Sequence, residues 1–256
     1  NNDGSIDTDK ITSSITNQTF LVSCMHANNE TGAINAINEM AFSVKAINAN
    51  IYFHADCAQT FGKTNLVMND KNIDLLSFSA HKFHGPKGIG GLLMRKRNDM
   101  SLPIKPLMYG GGQERGVRPG THPVALIAGM AKSLEISIKN QDQWNAKCIE
   151  IKSAAINSFK DIDYKIYGTT DERTLPNTLS IAFSDLDAEA VILTLKEHAE
   201  IATGSACTSD SYTPSHVISS MGASETEAQR VVRFSWGSDT NPEVFKSIAT
   251  SLKSLL

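Results

Sequence analysis

No stretch of this chain approaches the ~20 consecutive apolar residues that a bilayer-spanning helix needs, which excludes an integral helical membrane protein. Excess positive charge is also missing. Lysine and arginine number 24 against 27 aspartates and glutamates, a formal net charge of −3, so there is no broad electrostatic footprint for nucleic acid or an anionic membrane. A small-molecule partner is expected instead. The opening NNDGSIDTDK has neither the basic start nor the apolar core of a secretory signal. Cysteine is scarce: the four residues Cys24, Cys57, Cys148 and Cys207 show none of the spacing of a secreted disulfide framework, which points to a reducing, cytoplasmic compartment. Internal repeats and low-complexity segments are absent as well.

What is present is a 256-residue chain, 41% hydrophobic and 20% charged, with enough apolar mass for one or two cores. Short runs rich in β-branched and aromatic residues predict strands at 20–26, 51–56, 73–80, 90–96, 177–183 and 231–236. Helical periodicity is read at 36–49, 124–139, 143–159, 187–199 and 242–255. Such alternation predicts an α/β fold with a largely parallel first sheet. Residues 101–123 form a long Gly/Pro-rich connection, of a length that usually carries function. Beyond it strands thin out, so the division expected is a large domain over 1–138 and a smaller α+β domain over 139–256.

Ligands bind open α/β sheets at the carboxyl ends of the strands, and reactive side chains gather there in this sequence. In HADCAQT the two-residue period puts His54 and Asp56 on one strand face, with Gln59 one turn further on. In SFSAHK the same rule groups Ser79 with His81 and turns Lys82 the other way. An amine, a carboxylate, an amide, a hydroxyl and an imidazole therefore collect at neighbouring strand ends. Pyridoxal phosphate (PLP) requires such a set: a lysine for the Schiff base, a carboxylate to keep the pyridine nitrogen protonated, and donors for the phosphate and ring hydroxyl.

The motifs MHANNETG, HADCAQTFGK, SFSAHKFHGPKGIGG, GGGQERGVRPGTHP, ATGSACTSD and RFSWG follow one another in the order seen in cysteine desulfurases. Across essentially its whole length the chain resembles that group, which belongs to the PLP-dependent class V aminotransferase family. The resemblance implies the PLP-dependent transferase fold type I, a largely parallel sheet flanked by helices plus a smaller α+β C-terminal domain. By it, Lys82 is similar to the lysine that carries the cofactor, Asp56 to the partner of the pyridine nitrogen and Gln59 to the donor to the ring hydroxyl. Ser79 and His81 resemble the phosphate ligands, and Thr121 the threonine that reaches the phosphate of the partner subunit. Asn29 resembles the asparagine beside cofactor and substrate, and Arg233 the arginine that holds the substrate carboxylate. Cys207 resembles the nucleophile that takes sulfur from L-cysteine as a persulfide, leaving L-alanine; its small, hydroxyl-rich surroundings at 203–213 read as a mobile loop. A homodimer, a sulfur-acceptor protein such as an iron–sulfur scaffold or a tRNA- or DNA-thiolation protein, and no direct contact with nucleic acid or membrane are further implied. Members of the group begin with an additional stretch supplying a Gly/Ala-Thr phosphate turn and a histidine stacked on the pyridine ring. The chain enters after both, so it is expected to be a piece of a longer enzyme, inactive when isolated.

Plainer readings compete at several positions. A lone lysine after a strand is more often a solvated residue, and an aspartate at Asp56 would more often cap the next helix. Cys24 and Cys57 read as small buried hydrophobes. The glycines of GPKGIGG do not match a phosphate-loop pattern and read as turn and close-packing residues. A different class of function is a zinc-binding module, with Cys24, His26, His54 and Cys57 as four ligands of suitable type. Within the PLP class the alternatives are a selenocysteine lyase or a related lyase, and a third possibility is a non-catalytic scaffold that still dimerises.

Overall fold

The computed structural model describes residues 1–65, 70–97, 102–203 and 214–256. The chain divides into two compact units. One comprises Thr8–His26 and Ala36–Gln141, and the other Asn1–Asp7, Ala27–Asn35 and Asp142–Leu256. Residues 1–7 and 27–35, which the sequence reading grouped with the first domain, thus pack with the C-terminal half.

The first unit holds helix α1 (Thr8–Ser13) and a four-stranded sheet in the order β1 (Leu21–Met25), β2 (Tyr52–Asp56), β3 (Leu75–Ser79), β4 (Gly90–Met94). β1, β2 and β3 are parallel, and β4 returns antiparallel to β3. Helix α2 (Ile37–Ile47) is the crossover between β1 and β2, and it buries Ile37, Met40, Ala41 and Val44, the spacing of a single helical face. Phe53, Ala55 and Leu76 are buried in the same unit. On the opposite strand face Leu21, Ser23 and Met25 are exposed and Tyr52 and His54 half-buried.

Asp74, at the entry to β3, is buried and fixes this unit from within. Its carboxylate meets Lys45 Nζ at 2.6 Å, Arg97 Nε at 2.6 Å and Nη2 at 2.7 Å, and accepts the Phe53 amide at 2.8 Å. Burial alone would raise its pKa, but the hydrogen bonds from Arg97 and Lys45 outweigh that and hold it below the usual carboxylate range. The network ties α2, β2, β3 and the segment after β4 at one end of the sheet.

Helix α3 (Val124–Ser158) is continuous over 35 residues, where the sequence reading placed two helices. The polar run Asn140, Gln141, Asp142 suggested a break, but it contains no proline or glycine, and Asn140 Nδ2 donates to the Ile136 carbonyl one turn back.

The second unit carries an antiparallel sheet in the order β5 (Tyr164–Ile166), β6 (Thr178–Phe183), β8 (Val231–Ser235), β7 (Ala202–Thr203). One face packs on the second half of α3, on α4 (Ala188–Leu195) and on α7 (Val244–Lys253), through Ile151, Phe159, Leu179, Phe183, Phe234 and Ile248. The other face is covered by α5 (His216–Ser220) and α6 (Glu225–Gln229), with Ala182, Val231, Ile218 and Met221 between them. β6 is accordingly buried at all six positions.

Candidate functional site

Strand β3 ends at Ser79, and Ala80–Phe83 form a single 3₁₀ turn. The strand alternation expected to reach Lys82 therefore stops three residues short. Ser79 and His81 nevertheless meet, Oγ to Nδ1 at 2.9 Å, because the turn folds the imidazole back over the strand end. The turn is held firmly: Ala80 N–H donates to the Ile89 carbonyl at 3.1 Å, Gly85 N–H to the Ala80 carbonyl at 2.9 Å, and Ser137 Oγ to the Phe83 carbonyl at 3.3 Å. Beneath it Phe61 and Phe78 stack at 4.1 Å, with Phe83 tilted against both. A Cβ on Gly91 would sit 2.3 Å from the Phe78 ring and one on Gly90 2.5 Å from the Phe78 carbonyl, so these two glycines serve close packing, while Gly88, at φ 86°, serves the turn.

Lys82 rides on this pinned turn, half-buried, with no hydrogen-bond or ion-pair partner among the described residues. A long amine kept on a rigid base and left unpaired is available for chemistry rather than for structure. Asp56 closes β2 opposite Ser77, two register positions before the end of β3. Its Oδ1 accepts the Ala58 amide at 2.9 Å, which turns the chain toward the half-buried Gln59. One carboxylate oxygen thus orients the turn and the other is left for a ligand. Amine, carboxylate, amide and the hydroxyl–imidazole pair lie within this one unit, and their chemistry fits the donor set PLP demands: they could hold its aldehyde carbon, ring nitrogen, ring hydroxyl and phosphate respectively. Thr121, in the same unit, is exposed at the end of the long connection.

Asn29 and Arg233 belong to the other unit. Arg233, central in β8 and paired in register with Ser180 and Ala202, donates from Nη1 to the Asn29 main-chain carbonyl at 2.7 Å. Its remaining guanidinium donors have no other hydrogen-bond partner among the described residues. Cys207 lies outside the described residues.

Two contacts around the site had no signal in the sequence. His54 bridges Ser23 (Nδ1–Oγ, 2.8 Å) and Ser77 (Nε2–Oγ, 3.0 Å), a polar ladder across three parallel strands; burial lowers its pKa, opposed by Asp56. His26 Nδ1 meets Thr60 Oγ1 at 2.9 Å, and burial brings its pKa down to about 4. Both histidines are thereby accounted for as hydrogen-bonded neutral rings.

The same contacts overturn the zinc reading. No three histidine, cysteine or acidic side chains come together among the described residues in a way that could hold a metal. The physical reason is register: His54 pairs with Ser23 and Cys24 with Ala55, so Cys24 and His54 face opposite sides of the sheet. Cys57 is fully buried, and burial pushes its thiol up to about 12.

Comparison with known proteins agrees with this geometry. A curated relative from Dictyoglomus turgidum described as cysteine desulfurase IscS is 38% identical over 244 residues, covering 94% of this chain. The chain spans 60% of the length of that relative. A solved NifS-like protein superimposes with a TM-score of 0.87 at 31% identity, over 99% of this chain and 66% of its own. A structure described as SspA in complex with cysteine gives a TM-score of 0.74 at 34% identity, over 91% of this chain and 63% of its own. The profile of the aminotransferase class-V family matches residues 1–244, and the chain belongs to that family.

Proposed function

We propose that the protein, at the full length of its relatives, is a PLP-dependent cysteine desulfurase that converts L-cysteine to L-alanine and passes the sulfur through Cys207 to an acceptor. The observation that carries the reading is the unpaired Lys82 amine on a pinned turn, with Asp56, Gln59, Ser79 and His81 in the same unit. Family membership and relatives described as cysteine desulfurases support it.

In this reading Lys82 is the covalent anchor of the cofactor and, when released from it, the base that moves the substrate Cα proton. Asp56 holds a proton on the ring nitrogen, Gln59 donates to the ring hydroxyl, and Ser79 and His81 donate to the phosphate. When bound, PLP supplies an electron sink conjugated to the substrate Cα. Arg233 grips the substrate carboxylate with the donors left over from its bond to Asn29, and the Asn29 side chain orients cofactor and substrate. The Cys207 thiolate attacks the substrate sulfur: the S–S bond forms as the C–S bond breaks, and the electron pair left on carbon takes up a proton to give alanine. Thr121 reaches the cofactor phosphate of a second subunit, which makes the working unit a homodimer. The sulfur acceptor is a protein of iron–sulfur assembly or of tRNA or DNA thiolation, in the cytoplasm. Among the described residues no helix is long and apolar enough to cross a membrane.

The experiment is a paired assay of the full-length protein and its Cys207→Ser variant with L-cysteine. The parent should form alanine and an enzyme-bound persulfide in equal amounts. The variant should keep its yellow cofactor band and lose persulfide formation by at least about a thousandfold, as expected when a nucleophile is removed. Full turnover in the variant would move the nucleophile to another cysteine, and turnover of L-selenocysteine alone would select the lyase reading.

A further inference from the structure

The loop 27–35 is built to present one side chain. From Ala27 to Ala33 every residue is buried except Asn29. Asn28 Oδ1 accepts the Glu30 and Thr31 amides at 2.8 and 3.0 Å, Gly32 N–H donates to the Asn28 carbonyl at 3.0 Å, and Leu175 N–H donates to the Gly32 carbonyl at 2.8 Å. Glu30 is the odd member of this loop. It is an acid only 6% exposed, and nothing in the reaction sketched above uses it.

Its partner explains it. Ser215, also 6% exposed, is the N-cap of α5, and its Oγ accepts the Val217 and Ile218 amides at 3.2 and 3.3 Å. A hydroxyl has two acceptor lone pairs and one proton. Both lone pairs are taken, so the proton goes to Glu30 Oε2, 2.5 Å away and 185 positions distant in the chain. The direction of that bond is fixed by the count. Burial pushes the Glu30 carboxyl up, opposed by the Ser215 hydroxyl and then by the charges of His216 and Arg233. An acid is an expensive residue to bury for packing alone.

We propose that Glu30 is a positioning residue for the substrate carboxylate: its bond to Ser215 pins the loop so that the Asn29 carbonyl holds one prong of Arg233 and leaves the rest of the fork for the ligand. This rests on the reading of Arg233 as the carboxylate ligand. Glu30 touches neither substrate nor cofactor, and acts through Asn29 and Arg233.

The test uses the full-length holoenzyme with E30A, E30Q, S215A and S215T, and with R233K as control. Gln keeps an acceptor where the carboxylate stood, and Thr keeps the hydroxyl and the cap. E30A and S215A should raise KM for L-cysteine about tenfold with kcat within about twofold, the loss of one hydrogen bond's worth of orientation. E30Q and S215T should stay within about threefold of the parent. The inhibition constant of cysteamine, which has the thiol and amine but no carboxylate, should move for none of the four. An E30A enzyme that loses thermal stability with KM unchanged, or loses cysteine and cysteamine affinity equally, overturns the proposal. If R233K leaves the ratio of cysteine to cysteamine affinity unchanged, the assignment of Arg233 itself fails; if R233K shifts that ratio and E30A does not, only the role of Glu30 is refuted. Should E30A not fold, S215A against S215T decides the same question.

Discussion

The sheet of the C-terminal unit buries apolar side chains on both faces, and that of the other unit carries a row of polar side chains across its strands. In the C-terminal sheet Phe159 touches Phe183, Phe234 and Phe245 with ring centroids 5.3, 5.9 and 6.1 Å apart, and every residue of β6 is buried. In the other sheet His54 links Ser23 and Ser77 in a hydrogen-bonded ladder across three parallel strands. Beside its buried Ile37, Met40, Val44, Phe53 and Leu76, this unit is tied by the Asp74 network. The candidate site residues Asp56 and Ser79 end strands of this sheet, and His81 and Lys82 stand on the turn just after β3. An apolar core and a set of accessible reactive groups place opposite demands on one surface, and the two sheets differ accordingly.

Three substitutions sharpen that contrast. Phe159→Ala should cost about 3–5 kcal/mol, since it empties the centre of the C-terminal core. The loss should appear in the unfolding of the C-terminal unit, with the cofactor band of the full-length enzyme retained; a loss of the band before unfolding would mean the two units do not divide the labour as described. Asp74→Asn should cost about 3 kcal/mol in the other unit, because it leaves Lys45 and Arg97 partly desolvated without their counter-charge. An effect near zero in denaturant titration would show that this unit does not lean on the Asp74 network.

The third concerns acid. His26 is held neutral down to about pH 4 by burial, whereas in the unfolded chain it takes up a proton near the ordinary imidazole value of 6.5. Between those two values the unfolded state binds more protons, so stability rises with pH across the window and is lost as pH falls through it, by on the order of 2 kcal/mol. His26→Gln, which can keep a hydrogen bond to Thr60, should flatten that part of the pH–stability curve. An unchanged slope would place the acid sensitivity elsewhere.

Much of this was legible in the sequence. Six strands could be placed because alternation of Val, Leu, Ile and Phe persists for five or more residues in each. β5 and β7 could not, since three and two residues are too few to show a period. The 3₁₀ turn at Lys82 was missed because SFSAHK continues the strand pattern past the point where Ile89 bonds back to Ala80. Asp56, Ser79, His81 and Lys82 could be singled out as candidates because each stands at or just beyond the end of a recognisable strand with a reactive group. Glu30 was not, because its importance lies in a partner 185 residues away, and no local spacing records that. Asp74 was hidden for the same reason: its two cations come from α2 and from the segment beyond β4.

The central claim is that the unpaired amine on the turn after β3 is the cofactor's anchor. Borohydride reduction of the full-length holoenzyme, followed by digestion and peptide mass spectrometry, tests it most directly. The pyridoxyl group should be found on Lys82; finding it on Lys63 or Lys87, or on no lysine of this chain, would contradict the account.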